Sequence, residues 1–501
     1  MDFKKIVKRA LGPELARKAA MLKSRATMLR TKNILRDFSG NNLKIIGFVK
    51  SFNEAKNGNL ERCLKHLSEF CDDIVICDDS SRDNSVQIAR KYTNNIIIMP
   101  NNFKKELQHK QKLLELTLSL NPDWIVWLDP DETFERAGEL GGIRSLCEYG
   151  DKRGIDSFSF LYHNLWKARD HYRVDERWWT NWQPKLWKNT GNLKFESEEG
   201  LHLKQSPSGL INDKRTDIKI IHYGFSTSDF VKKKYETYKS LGQSGRYLDR
   251  IIDEKGIKLK KFEIDWFPIT SLRITVVCLI FRSIEYLKFV MKSFNRHTNF
   301  AELLFIANDP SDEILEHMEK RKITHLRHIN PNPEEYYINR VYRAWNYGGA
   351  KASGDILVFI NSDMAFSTDW CKNLLKHLKK NRIITSRLVE SGKLRSGKYG
   401  IEKDFGRSYK EFDEKMFEDY AERIKTNELR NGGLFMPCAL YKDVFNKSGG
   451  YPKGNRVDNK GQVTSGDRVF FYETLASMGI KHYTAFDSIV YHIQEGEQDE
   501  E

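Results

Sequence analysis

The strongest constraint on this chain is an internal duplication. The apolar run Lys44-Ile45-Ile46-Gly47-Phe48-Val49 has the length and bulk of a buried strand. Arg273-Ile274-Thr275-Val276-Val277-Cys278 opens a second segment in the same way. Each is followed by an amphipathic helical pattern and a second apolar strand, Ile74-Val75-Ile76-Cys77-Asp78-Asp79 and Leu304-Phe305-Ile306-Ala307-Asn308-Asp309. A later strand follows in each, Trp124 to Asp129 and Ile356 to Asn361. Asp78 and Asn308 are 230 positions apart, and Asp131 and Asp363 are 232 apart. That period is too long for a solenoid. Alternating strands and helices require parallel sheets with right-handed crossovers. The expected architecture is α/β: two tandem, Rossmann-like, mainly parallel domains at 41–245 and 273–495. A basic segment (1–40), a charged linker (246–272) and an acidic tail (496–501) complete it.

Hydrophobic residues make up 40% of the 501. That supplies real cores and excludes wholesale disorder. The longest clean apolar run, Ile274 to Phe281, is far short of the roughly 20 residues that span a bilayer. Lys4, Lys5, Lys8 and Arg9 interrupt the first apolar stretch, unlike a secretory signal. The seven cysteines include no CxxC pair, as expected of buried thiols in a reducing, cytoplasmic setting rather than a zinc site.

The net charge of +14 is concentrated at one end: residues 1–40 hold eleven Lys/Arg against Asp2, Glu14 and Asp37. Phe3, Ile6, Val7, Ala10 and Leu11, then Leu15, Leu22 and Leu29, fall at helical spacing between basic residues. Residues 1–36 therefore read as a helix that lies on an anionic membrane surface, at its inner face. With one aromatic early in that segment and no binding module, nucleic acid is not an expected partner.

Ligands of open parallel sheets bind beyond the carboxyl ends of the strands. Asp129-Pro130-Asp131-Glu132 falls there, with two carboxylates in a turn stiffened by proline. Hard oxygen ligands of this kind suit Mg²⁺ or Mn²⁺, and such an ion stabilises a departing diphosphate. Asp78-Asp79-Ser80-Ser81-Arg82-Asp83 ends an earlier strand, where a carboxylate can accept from a base imide N–H or cap a helix. Asn53-Glu54 adds polar groups at the same edge.

Taken in order, Phe52-Asn53-Glu54, Ile76 to Asp83 and Trp127 to Glu132 resemble the GT-A glycosyltransferases of family 2. The second half is similar through Asn346-Tyr347-Gly348-Gly349-Ala350, Gly354 to Asp363 and Gly466-Asp467. The resemblance implies a nucleotide-sugar donor such as a UDP-sugar, a divalent metal, a glycan or glycolipid acceptor, and inversion at the sugar carbon. It implies that Asp78 or Asp79 holds the base, with Asn53 and Glu54 beside it, and that Lys110 meets a phosphate. Asp129 and Asp131 would face metal and diphosphate, completed by His222. In the second copy, Asn308, Asp309, Asn346 and Asn361 take the donor positions, Asp363 and His492 the metal positions, and Asp467 that of the catalytic base.

The copies depart from the family pattern in different places. In the first, Glu198-Glu199-Gly200-Leu201-His202 leaves Glu198 or Glu199 as the candidate base. In the second, Asn308 and Asn361 replace acids. Two active copies would form two linkages, as in polysaccharide or lipopolysaccharide synthesis. Five tryptophans (166, 178, 179, 182, 187) beside Arg169, Arg173 and Arg177 form either an acceptor platform or a buried cluster. The rival readings are a non-catalytic glycan-binding scaffold and a sugar nucleotidyltransferase. The latter would carry a Gly-rich N-terminal loop with an arginine, where this chain has Phe52-Asn53-Glu54.

Overall fold

The structure is a computed structural model. It describes residues 28–31, 34, 37–102, 105–175, 178, 181–196, 206–253, 255–332 and 334–497. The chain divides into two compact units, residues 1–271 and 272–501.

The first unit contains strands β1 (Ile45–Ser51), β2 (Asp73–Asp78), β3 (Ile96–Ile98), β4 (Trp124–Trp127), β5 (Glu132–Phe134), β6 (Ser157–Asn164), β7 (His171–Arg173), β8 (Trp182–Lys188), β9 (Asp213–His222) and β10 (Leu259–Lys261). Eight of them form one sheet in the order β3-β2-β1-β4-β8-β6-β9-β5. The β3-β2-β1-β4 half is parallel, and β8 then joins β4 antiparallel. The sheet is thus mixed beyond its parallel core.

The period-2 alternation of the strands sorts side chains onto two buried faces. Ile45, Val49, Ile74, Ile76, Trp124 and Val126 pack on one face with Leu60, Cys63, Leu64 and Leu67 of helix α1 (Asn59–Leu67). Ile46, Phe48, Val75, Cys77, Ile125 and Trp127 pack on the other with Leu107, Leu113 and Leu114 of helix α2 (Glu106–Ser119). Each fully buried aliphatic or aromatic side chain contributes roughly 1.5–3 kcal/mol, so both faces are strongly held.

Three expectations change here. Leu29, read as part of a membrane-facing helix, bridges Thr216 of β9, and Thr31 N donates to Asp217 Oδ1 at 2.8 Å. Ile34 joins the core beside α1. This part of the basic segment therefore packs on its own unit, while residues 1–27 lie outside the described residues. The supposed linker 246–272 is built into the first unit: Leu248 and Ile251 are buried, and β10 pairs with β7. Phe262 packs on Leu165, Tyr172 and Ile221. Of the two readings of the tryptophans, the buried cluster holds for three: Trp166 and Trp178 are buried with Phe225, and Trp187 is buried with Phe48, Trp127 and Phe195. Arg173 stacks over Trp166 and Trp178 at 4.3 and 4.9 Å and pairs with Asp175, so its charge is neutralised internally. Trp179 and Arg177 lie outside the described residues.

The second unit repeats the plan. Its strands are β11 (Ile274–Ile280), β12 (Glu302–Asn308), β13 (His325–His328), β14 (Ile356–Asn361), β15 (Met364–Phe366), β16 (Arg382–Glu390), β17 (Ile401–Glu402), β18 (Leu429–Asn431), β19 (Cys438–Tyr441), β20 (Arg456–Val457), β21 (Val463–Thr464) and β22 (Lys481–His492). The main sheet runs β13-β12-β11-β14-β19-β16-β22-β15, with β17 and β18 at its margins. β11 is buried throughout. Position for position, the order matches the first unit.

The tail reading is also corrected. Glu497 is not frayed, because its Oε2 accepts from the backbone N–H groups of Phe281, Arg282 and Ser283 at 3.1, 3.2 and 3.3 Å. Residues 498–501 lie outside the described residues. The described cysteines are unpaired, and six of the seven are buried. No helix among the described residues is long and apolar enough to cross a membrane.

The docking of Ile34 has a measurable consequence. Ile34→Ala is expected to lower the stability of the first unit in urea by about 2–4 kcal/mol, as cavity-forming truncations do. An unchanged midpoint would show that residue 34 is not core.

Candidate active site

In the first unit, the turn Asp129–Glu132 leads straight from β4 into β5, closed by Glu132 N–H donating to Asp129 O at 2.9 Å. β5 pairs antiparallel with β9, with Glu132 opposite His222. β9 also pairs with β6, which sets Asn164 opposite the same histidine. Two strand registers therefore deliver Asp131 and His222, 91 residues apart in sequence, to one point.

The His222 ring is oriented from behind. Its Nδ1 lies 2.6 Å from Asn164 Oδ1, which can only accept, so the proton belongs on Nδ1 and the Nε2 lone pair faces forward. Nε2 lies 3.1 Å from Asp131 Oδ2. The Lys234 ammonium, from helix α3 (Ser228–Ser240), reaches both at 2.8 and 3.1 Å. Burial alone would raise the Asp131 carboxyl, but the Lys234 ammonium outweighs it and holds it well below the usual carboxylate range. Burial and Lys234 together lower His222, which keeps the imidazole neutral.

Asp131 Oδ2 and His222 Nε2 thus converge as a carboxylate and an imidazole lone pair, a donor set that suits Mn²⁺ or Mg²⁺. Glycine at 224 lets these groups come up against the backbone. A Cβ built at Gly224 would collide with Asp131 Oδ2, His222 Nε2 and Lys234 Nζ at once. Asp131 and His222 are thus a donor pair that fits a divalent cation, and the Lys234 ammonium holds the position between them that such a cation would take over.

Asp129 is the more open acid, with 39% of its side chain exposed against 13% for Asp131. Its Oδ2 takes a hydrogen bond from Lys185 Nζ at 3.1 Å. Lys185 is fully buried, bonds Glu132 Oε2 at 2.9 Å and lies 3.8 Å from the centre of the Trp127 ring. Burial pushes Glu132 up to about 8, with Asp129 and Asp131 adding to the rise against the pull of Lys185. Lys185, Lys234 and Asn164 are residues that sequence reasoning missed here. The strand Trp182–Lys188 carries two lysines, Lys185 and Lys188, and nothing in the sequence separates the buried one from the other.

The other candidates of this unit are arranged behind the rim. Asn53 adopts a positive φ of 55° and ties the two loops together: its N–H donates to Ser81 Oγ and its Oδ1 accepts from Arg82 N–H, both at 2.8 Å. Glu54 accepts from Asn57 and Asn59, and burial together with Asp131 raises its carboxyl. Asp78 accepts from both the N–H and Oγ of Ser81 at 2.7 Å. Asp79 turns into the core, where it meets Lys50 and, at 2.8 Å, His109 Nδ1. Cys77, Asp79 and His109 form a compact trio, but the Lys50 ammonium already sits on that carboxylate. Lys110, expected at a phosphate, points inward to Glu106 at 2.7 Å and over Trp127. Glu198 and Glu199 lie outside the described residues.

The second unit builds the same corner. β15 pairs with β22, placing Met364 opposite His492, and Asp363 Oδ2 lies 3.4 Å from His492 Nε2. β16 lies on the far side of β22, with Glu390 opposite His492 and Glu390 Oε1 3.2 Å from Nδ1. Glu390 therefore stands where the first unit has Asn164. Burial would lower His492, but Asp363 and Glu390 outweigh it and raise it to about 10.

The substituted positions hold related roles. Asn308 Oδ1 accepts from His328 and Asn330, each at 2.9 Å, and Asp309 pairs with Arg340 at 3.1 Å. Asn361 closes β14, and the next residue, Ser362, donates through Oγ to Glu497 Oε1. Gly496 N–H donates to Asp363 Oδ2 at 3.2 Å. The turn after β22 thus packs against the rim, a contact that a charged terminal sequence did not announce. Asn346 is used structurally, with both ends of its amide on the Tyr451 backbone at 2.8 and 2.7 Å.

Asp467 lies at the start of the short helix Gly466–Val469. Its Oδ2 accepts from Tyr342 OH at 3.0 Å. Its Oδ1 is sealed from solvent and has no hydrogen-bond partner among the described residues. Asn308 Nδ2, Asn330 Oδ1, Arg340 Nε and Arg343 Nε are in the same condition. Buried polar atoms left unpaired are costly, and clusters of them mark places where a polar ligand completes the bonding.

Three solved structures show a low likeness. The crystal structure of GalNAc-T7 with UDP, GalNAc and Mn²⁺ matches at 15% identity and a TM-score of 0.30, over 44% of this chain and 43% of that one. S. aureus TarS 1-349 matches at 10% identity and a TM-score of 0.30, over 44% of this chain and 60% of that one. S. aureus TarS matches at 11% identity and a TM-score of 0.30, over 44% of this chain and 36% of that one. The chain therefore spans less than two thirds of each of these relatives. No curated protein matches it. The model of the family described as "Glycosyl transferase family 2" matches residues 48–149 and 275–441, one stretch in each unit. Those stretches cover more than half of the chain and contain the repeated strand-and-acid pattern, so the chain belongs to glycosyl transferase family 2, with two GT-A regions.

Proposed function

We propose that this glycosyltransferase moves sugars from nucleoside-diphosphate donors, UDP-sugars foremost, onto a glycan or glycolipid acceptor, using one metal-dependent inverting site in each unit. The observation that carries this reading is the convergence of Asp131 Oδ2 and His222 Nε2, 3.1 Å apart, at a corner where a Cβ at position 224 would strike both. Asp131 and His222, with Asp129 beside them, would hold Mn²⁺ or Mg²⁺ in the first unit. Asp363 takes the corresponding position in the second, where His492 would have to give up its proton before it could join as a ligand. A divalent cation bound there supplies positive charge against the diphosphate as it leaves.

The chain's own residues do the rest. Asn164 holds the His222 ring so that Nε2 faces Asp131. Lys185 balances Asp129 and Glu132 and keeps the rim from repelling itself. Asn53, Glu54 and Asp78 frame the donor side of the first unit, and Asn308 and Asp309 that of the second. Asp467 takes the proton of the acceptor hydroxyl as the new glycosidic bond forms, which requires its charged form. Glu198 or Glu199 takes that role in the first unit. Residues 1–27, rich in lysine and arginine, would bring the enzyme to an anionic membrane surface where a glycolipid acceptor resides.

Asp131→Ala is expected to abolish the Mn²⁺-dependent UDP release that remains in an Asp467→Asn background, with the circular dichroism spectrum unchanged. Turnover equal to that background would remove the metal role of the first unit. Gly224→Ala should weaken Mn²⁺ binding by the first unit at least about tenfold, the equivalent of 1.4 kcal/mol. Calorimetric titration in an Asp363→Ala background measures it, and unaltered affinity would contradict the cradle.

A pH dependence follows from Asp467. Burial pushes its carboxyl up to about 6, against the Tyr342 hydrogen bond that lowers it. A carboxylic acid is charged above its pKa, so the kcat/KM of the second unit, read in an Asp131→Ala background, should be level above about pH 6 and fall below it. Full activity of Asp467→Asn would end this assignment and favour a second unit that only binds glycan.

A further inference from the structure

The second unit contains a side chain whose hydroxyl bonds Asp467 twice. Tyr342, on helix α4 (Tyr337–Lys351), is fully buried. Its O–H donates to Asp467 Oδ2 at 3.0 Å, and its oxygen accepts from Asp467 N–H at 3.1 Å. One hydroxyl thus holds both the side chain and the backbone of the same residue. The ring is fixed as firmly as the hydroxyl. It stacks on Tyr451 at 5.5 Å with the planes 5° apart, and Trp345 packs at 6.1 Å. Position 466 is glycine where any Cβ would strike the Tyr342 ring. Ser465 Oγ caps the turn by accepting from Arg468 N–H at 3.3 Å, and Asn455 Oδ1 accepts from Gly466 N–H at 2.9 Å.

We propose that Tyr342 is the positioning residue of the second site: it clamps one oxygen of Asp467 so that the other, Oδ1, is presented to the acceptor hydroxyl. This rests on the assignment of Asp467 as base and adds how that base is aimed. A carboxylate with two equivalent oxygens and a free rotor presents the reactive one only part of the time. A hydrogen bond to Oδ2 and an unpartnered Oδ1 remove that ambiguity. The same bond favours the charged form of the acid and so sets where it titrates. The other titratable groups that feel the Asp467 charge are Tyr451 and Cys438, both buried and both unable to donate a positive charge. Tyr342 is therefore the side chain that counters the desolvation of this carboxylate.

The helix adds a second link. Arg340, two residues before Tyr342, pairs with Asp309 on the donor side. One rigid element thus carries the contact to the donor-side acid and the contact to the base.

The test reads the Asp467 carboxyl directly, by infrared difference titration of the full chain with Asp467→Asn identifying the band. Tyr342→Phe keeps the stacked ring and removes the hydroxyl. It is expected to move the Asp467 midpoint up by about one pH unit, the worth of one hydrogen bond to a charged acceptor. Fluorotyrosine at position 342, nearly isosteric and a stronger donor, should move it down, and it guards against a folding defect in the phenylalanine variant. In an Asp131→Ala background, scored as UDP released from a panel of UDP-sugars with Mn²⁺, Tyr342→Phe should lower kcat about tenfold and leave the donor KM unchanged. It should also shift the acid limb of kcat/KM with the carboxyl midpoint. A midpoint that ignores both substitutions overturns the clamp. Full turnover by Asp467→Asn overturns the base assignment itself, and the two failures are told apart because the first is read without turnover.

Discussion

Everything at the two rims depends on one kind of backbone pairing, a three-residue strand laid antiparallel against the long strand that ends in histidine. In the first unit this is β5 on β9, and in the second β15 on β22. Each short strand begins where the acidic turn ends, so its hydrogen bonds fix the second acid of the turn beside the histidine. A slip of one residue would send the histidine to the opposite face of the sheet. The third strand, β6 or β16, pairs with the far side of the same histidine strand and brings the residue that orients the ring. The acid–histidine pair is therefore a product of sheet register, with side-chain rotamers making only the last adjustment.

The two corners balance their charge differently. In the first, an amide (Asn164) backs a neutral imidazole, and the positive charge beside Asp131 is the Lys234 ammonium. In the second, a carboxylate (Glu390) backs the imidazole, and His492 itself carries the charge beside Asp363. Duplicated folds thus reach the same compensation of a buried acid with different donors. The turn after β22 adds a hydrogen bond from Gly496 to Asp363.

The duplication, the strand order and the acidic strand ends were legible in the sequence because each leaves a local mark: an apolar run, a polar residue after it, and a spacing that repeats. Asp131 with His222, and Asp363 with His492, could be read as pairs only through family resemblance, since 91 and 129 residues separate them and nothing local joins them. Lys185, Lys234, Glu390, Tyr342 and Glu497 left no local mark at all. Each is an ordinary polar residue whose role exists only once a sheet or a helix has placed it. The tryptophans around 166–187 were ambiguous for a related reason. An aromatic that stacks on a sugar and one that stacks on Phe225 have the same sequence signature, and only burial separates them. Charge misled at both ends of the chain, because solvation is the usual fate of such residues, yet Thr31 and Glu497 spend their polar groups on the folded units.

Gly224 bears on how such a protein can change over time. Asp131 Oδ2, His222 Nε2 and Lys234 Nζ all crowd the place a Cβ would take, so any other side chain there must displace at least one of them. Mutation there meets a wall on every side. A substitution at 224 therefore reaches the acid, the histidine and the lysine in a single step.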